Sequence, residues 1–163
     1  MTMGVLVRRI RREDLGTVCG LCSELGKLYP CEEYSHEMTR EQLYAKSRSL
    51  NPKSPLEFLV AEMDGEVVGF IDYNIPGEFS RTPFRDALYI GELYVKPEYR
   101  KRGVGRALVR EVIRHGEENK DAWGVCRILT NAGNKEFYEA LGFTPVENPQ
   151  TKIVPMWSHE YLL

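Results

Sequence analysis

No apolar run in this chain approaches the roughly 20 residues needed to cross a bilayer, and the start, Met1-Thr2-Met3-Gly4-Val5-Leu6-Val7-Arg8-Arg9, lacks a signal-peptide core. The expectation is a cytoplasmic protein with no membrane partner. An excess of charge of one sign is also missing: 22 Lys and Arg against 24 Asp and Glu leave a net charge of −2 at pH 7. A chain so balanced lacks the broad basic surface that grips a phosphate backbone, which argues against a nucleic-acid partner. Internal repeats and low-complexity tracts are absent. Cysteine is scarce, with four residues: Cys19 and Cys22 form a CxxC pair, Cys31 follows with His36 beyond it, and Cys126 stands alone in an apolar segment. Without a second CxxC the paired spacing of a zinc site is missing, and the i, i+3 pair reads as two small apolar residues on one helix face. No metal is expected. What is present is ordinary for a globular protein, 42% hydrophobic and 28% charged over 163 residues, enough for one domain, 1–163, with its own core.

Along the chain, Val5 to Ile10 reads as a strand. A helix follows from Arg12-Glu13-Asp14 to about Tyr29, with Leu15, Val18, Cys19, Cys22, Leu25 and Leu28 at helical spacing. Pro30 ends it, and a more polar helix is expected over His36 to Ser49. Glu57 to Met63 and Glu66 to Asn74 are strands joined by Asp64-Gly65, a two-residue hairpin signal. A polar loop, Pro76 to Asp86, precedes a fourth strand, Ala87 to Val95, which Pro97 closes. A long helix is expected over Gly103 to Asn119, a strand over Trp123 to Leu129 and a short helix over Asn134 to Leu141. Phe143 to Val146 and Lys152 to Tyr161 look like a final hairpin. Hairpins mixed with helical crossovers point to an α/β fold with a mixed, mostly antiparallel sheet and helices packed on it.

The most informative stretch is Arg100-Lys101-Arg102-Gly103-Val104-Gly105-Arg106, between the fourth strand and the long helix. N–H groups at a helix start have no intrahelical partner, and the helix dipole adds partial positive charge. Glycine lets an anion approach the backbone. Four basic side chains (Arg100, Lys101, Arg102 and Arg106) crowd the same turn, so it suits a polyphosphate. It is not a Walker A loop, because no Gly-Lys-Ser/Thr follows. It is not the dinucleotide fingerprint, because a third glycine is missing.

Arg100-x-x-Gly103-x-Gly105, preceded by Glu92-Leu93-Tyr94-Val95-Lys96-Pro97-Glu98-Tyr99, resembles the acetyl-CoA signature of the GNAT family of N-acetyltransferases. Asn131, then five residues, then Phe137-Tyr138-Glu139-Ala140-Leu141-Gly142-Phe143 resembles that family's downstream signature. The resemblance runs from Val5 to about Tyr161 and is strongest over 88–143. It implies a mixed sheet flanked by helices on both faces, with strands four and five splayed into an acyl-CoA slot. It also implies acetyl-CoA as co-substrate and an amine acceptor, either a small molecule or a protein. Homodimers are common among its members.

The residues then divide the work of acyl transfer. N–H groups of Arg102 to Arg106, with Val104 and Gly105 among them, are expected to wrap the pyrophosphate, helped by the arginine side chains. By resemblance, the pantetheine arm runs beside Leu93, Tyr94 and Val95, the Leu93 N–H faces the thioester oxygen, and Asn131 contacts the pantetheine amides. Asn134 stands where the family often has alanine; a helix cap is one reading. Tyr138 matches the family's tyrosine near the sulfur and is the candidate general acid. Glu92, a carboxylate flanked by Ile90 and Leu93, is the candidate base; Tyr89 holds another position the family uses. Strict alternation puts Glu92 on the face opposite Leu93 and Val95, so only a bulge or the splay brings it to the slot. Glu32, Glu33, Glu37, Glu78 and Asp86 could attract a cationic acceptor, and Trp157 and His159 either line its pocket or pack the last strand. The alternative reading is a non-catalytic acyl-CoA-binding or regulatory module.

Overall fold

The computed structural model describes residues 4–28, 36–76, 88–123, 127–131, 135–146 and 156–160. Among these, the strands are β1 (Leu6–Arg9), β2 (Leu56–Met63), β3 (Glu66–Asn74), β4 (Leu88–Val95), β5 (Arg127–Asn131), β6 (Thr144–Val146) and β7 (Met156–Glu160). They form one sheet in the order β1-β2-β3-β4-β5-β7-β6. Pairing is antiparallel except between β4 and β5, which run parallel. The helices are α1 (Leu15–Leu28), α2 (Arg40–Lys46), α3 (Val104–Trp123) and α4 (Lys135–Ala140). No helix of the described residues is long and apolar enough to cross a membrane.

The centre of the sheet, β2 and β3, is buried on both faces. Along β2, Phe58 and Val60 pack with Val18, Cys22 and Leu25 of α1 and Leu43 of α2. The alternate residues Leu59, Ala61 and Met63 pack with Val104, Leu108 and Val112 of α3. A strand covered twice reads as a nearly unbroken apolar run, as Leu56–Met63 does. The β2–β3 hairpin turns through Asp64 (φ 55°) and Gly65 (φ 77°), the positive-φ pair that the Asp-Gly signal requires.

Several boundaries differ from the sequence reading. The second helix is shorter at both ends, Arg40–Lys46 against His36 to Ser49, and Thr39 caps its start. Its Oγ1 accepts from the Gln42 N–H at 3.1 Å, and the Gln42 side chain accepts from the Thr39 N–H at 2.9 Å. His36 is thus left outside the helix. The long helix continues to Trp123, so the next strand begins at Arg127. Asn119 does not cap this helix; its side chain donates to the His115 carbonyl at 2.9 Å, and no glycine or proline comes next to stop the following turn.

Candidate active site

β4 ends where Pro97 enters, and Pro97–Tyr99 make a single 3-10 turn. The chain then reverses through Lys101 (φ 61°) and Gly103 (φ 84°), both left-handed, and starts α3 at Val104. The Gly103 carbonyl accepts from the Ala107 N–H at 3.0 Å, so the N–H groups of the first turn lie beyond the helical ladder. A Cβ at Gly103 would meet nothing within 4 Å, so the space before the helix is open. Lys101, Gly103, Gly105 and Arg106 line a cleft of about 1050 Å³ that begins here.

The four basic side chains do not act alike. Arg100 lines the cleft, but its Nε donates to the Val95 carbonyl at 2.8 Å and its guanidinium lies 5.4 Å from the Tyr94 ring centroid. It pins the end of β4. Arg102 lies over the Tyr99 ring at 5.4 Å, outside the cleft lining, and Val104 buries its side chain in the core. Val104 can offer a ligand only its backbone, whereas the exposed Arg102 stands beside the cleft.

The cleft passes through the sheet. β4 pairs with β5 only from Leu88 to Ile90. Beyond Ile90 the strands part, and Gly91, Glu92, Leu93, Tyr94 and Val95 line the opening. The β3–β4 register slips at the same place: Ile71 faces Leu93 and Tyr73 faces Ile90, so Asp72 stands against both Gly91 and Glu92. On the β3 side, the Glu92 N–H donates to Asp72 Oδ1 at 3.1 Å, and the Lys96 N–H donates to the Val68 carbonyl at 2.8 Å. Antiparallel alternation then turns the Leu93 N–H and C=O away from β3, toward the parted side.

Glu92 does sit on the face opposite Leu93 and Val95, as alternation requires. Leu93 and Val95 pack with the α3 core, whereas Glu92 meets His36 on the α1 side. Leu88 and Ile90 pack in the same α3 core as Leu93 and Val95, so the slip at Gly91 and Glu92 reverses the alternation and sets Glu92 on the α1 side, where it lines the cleft. Its Oε1 is 2.6 Å from His36 Nδ1, and both side chains are half-buried. Asp72 is buried beneath them. Burial, then the Glu92 charge, pushes its carboxyl far above the usual range. Across the opening, Tyr138 on α4 lies edge-on between Phe137 (5.0 Å) and Phe143 (5.3 Å) and lines the cleft. Leu25, Leu28 and His36 close the α1 side. His36 and Asp72 are the site residues that the sequence did not assign. The Thr39 capping box was a readable sign that His36 precedes its helix, whereas no local pattern marks Asp72.

Asn131 ends β5; its side chain and all of Asn134 lie outside the described residues. So do Cys31, Glu32, Glu33, Glu78, Asp86, Cys126 and the side chains of Trp157 and His159. Glu37 is exposed and accepts from the Ser23 hydroxyl at 3.3 Å. Cys22 is wholly buried in the α1 core, and burial, with the Glu92 and Asp72 charges, pushes its thiol up to about 12. The Cys19 thiol is raised too. Such thiols stay protonated, unlike the low-pKa thiolate of a redox pair.

The acetyltransferase (GNAT) family pattern matches residues 20–143. An uncharacterised N-acetyltransferase of Methanocaldococcus jannaschii is 35% identical over 95 residues, 55% of this chain; the match spans only 40% of that relative. The spermidine N(1)-acetyltransferase of Thermoplasma acidophilum is 29% identical over 157 residues, 86% of this chain and 89% of the relative. In fold, the protein is similar to the PaiA N-acetyltransferase of Thermoplasma acidophilum, solved with coenzyme A. The TM-score is 0.69 and the identity 22%, over 98% of this chain and 100% of the other. This chain belongs to the acetyltransferase (GNAT) family.

Proposed function

We propose that this single-domain protein uses acetyl-CoA to acetylate a primary amine, of a small molecule or a protein, by direct transfer. One observation carries the reading: a continuous cleft joins the open mouth of α3, through the parted strands, to a carboxylate–imidazole pair on the other face. The mouth fits a diphosphate. It offers unpartnered first-turn amides, a left-handed glycine with open space before it, and the Lys101 and Arg106 side chains. Acetyl-CoA supplies the activated acetyl group when bound.

The chain's residues then have separable tasks. The cofactor and the amine enter from opposite faces and meet at the gap beside Leu93. Glu92, held by His36, takes a proton from the substrate ammonium and so frees the amine's lone pair to attack the thioester carbon. The Leu93 N–H faces the thioester oxygen and stabilises its growing negative charge, a contribution typically of ~3–4 kcal/mol. As the C–S bond breaks, the Tyr138 hydroxyl hands a proton to the departing sulfur, and the proton that the acetylated nitrogen sheds restores the hydroxyl. The amine gains the acetyl group and CoA leaves as the thiol.

A carboxylate at the acceptor end suits a cationic amine, and the spermidine-acetylating relative makes a polyamine the first to try. Calorimetry should show acetyl-CoA binding, and thiol release should follow with at least one amine of a panel of polyamines, aminoglycosides and peptides. No binding at millimolar acetyl-CoA would falsify the reading. Binding without thiol release for any amine would reduce the protein to a CoA-binding module.

A further inference from the structure

We propose that Asp72 is a positioning residue, whose buried carboxyl props open the bulge in β4 and thereby aims Glu92 into the cleft. This inference rests on the acetyltransferase reading given above. Three observations place Asp72 at the point of control. It stands alone on β3 against two residues of β4. Its Oδ1 accepts the Glu92 N–H at 3.1 Å, a bond that a regular ladder would give to a backbone carbonyl. The same oxygen lies 2.4 Å from where a Cβ at residue 91 would stand, so the carboxyl occupies the space that Gly91 leaves. Remove the carboxyl and the extra β4 residue has nothing to pair with.

The arrangement works best with Asp72 neutral. Among the described residues, the charged and titratable groups around it are Glu92 on β4, Cys22 on α1 and Lys46 on α2, with His36 bonded to Glu92. Burial, then the Glu92 charge, opposes a negative charge on Asp72, while the hydrogen bond from the Glu92 N–H and then Lys46 favour it; the net shift is upward. A neutral Asp72 still accepts the amide hydrogen bond. The two carboxyls thus divide their work by place, Asp72 buried under the bulge to position and Glu92 facing the cleft.

The experiment compares wild type, Asp72→Asn and Asp72→Ala. The Glu92 amide signal in NMR reads the contact without any substrate. In wild type its shift should titrate with a midpoint well above the usual carboxylate range. That transition should be missing in Asp72→Asn, and the amide should exchange at least ~10-fold faster in Asp72→Ala, as expected for one lost hydrogen bond. With an amine that wild type acetylates, Asp72→Asn should keep kcat within about threefold at neutral pH. Asp72→Ala should lose about 100-fold in kcat at unchanged KM for acetyl-CoA, the scale of a misplaced reacting group. The ratio of Asp72→Asn to wild-type kcat should rise with pH. A Glu92 amide that ignores pH in wild type, or an Asp72→Ala enzyme with wild-type kcat, overturns the proposal. Wild type that binds acetyl-CoA yet acetylates nothing overturns the acetyltransferase reading instead, and the amide titration still judges Asp72.

Discussion

Tyr138 can be tested at the level of a single oxygen atom. Its ring is held edge-on by Phe137 and Phe143, so Tyr138→Phe removes the hydroxyl and keeps the packing. If that hydroxyl protonates the leaving sulfur, kcat should fall by ~10²–10⁴ while acetyl-CoA affinity by calorimetry stays put. Unchanged kcat at saturating substrate assigns the proton to another group. Tyr138 and Glu92 were both legible in the sequence, one from its motif and one as a carboxylate in an apolar strand. His36 and Asp72 were not. His36 reaches Glu92 from 56 positions away, and Asp72 acts through a register slip between strands. Neither relation leaves a trace in local spacing. Arg100 illustrates a second kind of gap: its charge suggested a phosphate contact and it does line the cleft, but that its Nε also holds the Val95 carbonyl had no sign in the sequence.

At the scale of the element, the mouth of α3 combines a backbone requirement with an electrostatic one. Gly103 has φ 84°, a conformation that Asn and Asp adopt at modest cost and other side chains resist. Gly103→Asn and Gly103→Asp therefore carry similar strain and differ by one charge. Gly103→Asp should weaken CoA binding roughly 10-fold or more relative to Gly103→Asn, since it sets a carboxylate among phosphates, and the difference should shrink in high salt. Equal affinities in calorimetry would place the phosphates elsewhere. The elements themselves were largely legible, because periodicity and turn chemistry are local: the order of strands and helices and the Asp64-Gly65 hairpin both come from short-range pattern. The errors fell at helix ends, where α2 occupies only Arg40–Lys46 of the polar stretch His36 to Ser49 and α3 runs on past Asn119. Those boundaries depend on caps and on the residues just beyond each helix, not on the apolar stripe.

For the whole molecule, the two layers respond to pH in opposite ways. On the α3 side, His115 is buried, with Nδ1 2.6 Å from the Tyr73 hydroxyl and Nε2 3.3 Å from Glu111. Burial lowers its pKa, with Arg9 and Arg114 adding to the effect and Glu111 and Glu118 opposing it. Below about 6.5 the unfolded chain takes up a proton on this histidine that the folded chain refuses until lower pH. The unfolded state then binds more protons, so this group makes stability fall as pH drops below about 6.5. On the α1 side, Asp72 shifts upward. The folded chain keeps a proton that the unfolded chain has lost above about 3.9, so this group makes stability fall as pH rises toward its folded value. Calorimetric melting curves separate the two. Between pH 7.5 and 5.5, the Tm of His115→Gln should fall less than that of wild type, because glutamine can still pair with Tyr73 and cannot ionise. Between pH 5.5 and 8, the Tm of Asp72→Asn should gain on wild type, because the amide retains the Glu92 contact without a charge to suppress. Parallel Tm profiles for wild type and both variants would mean that neither buried group resists its charged form, and that the acid and alkaline limits of stability are set by surface charge.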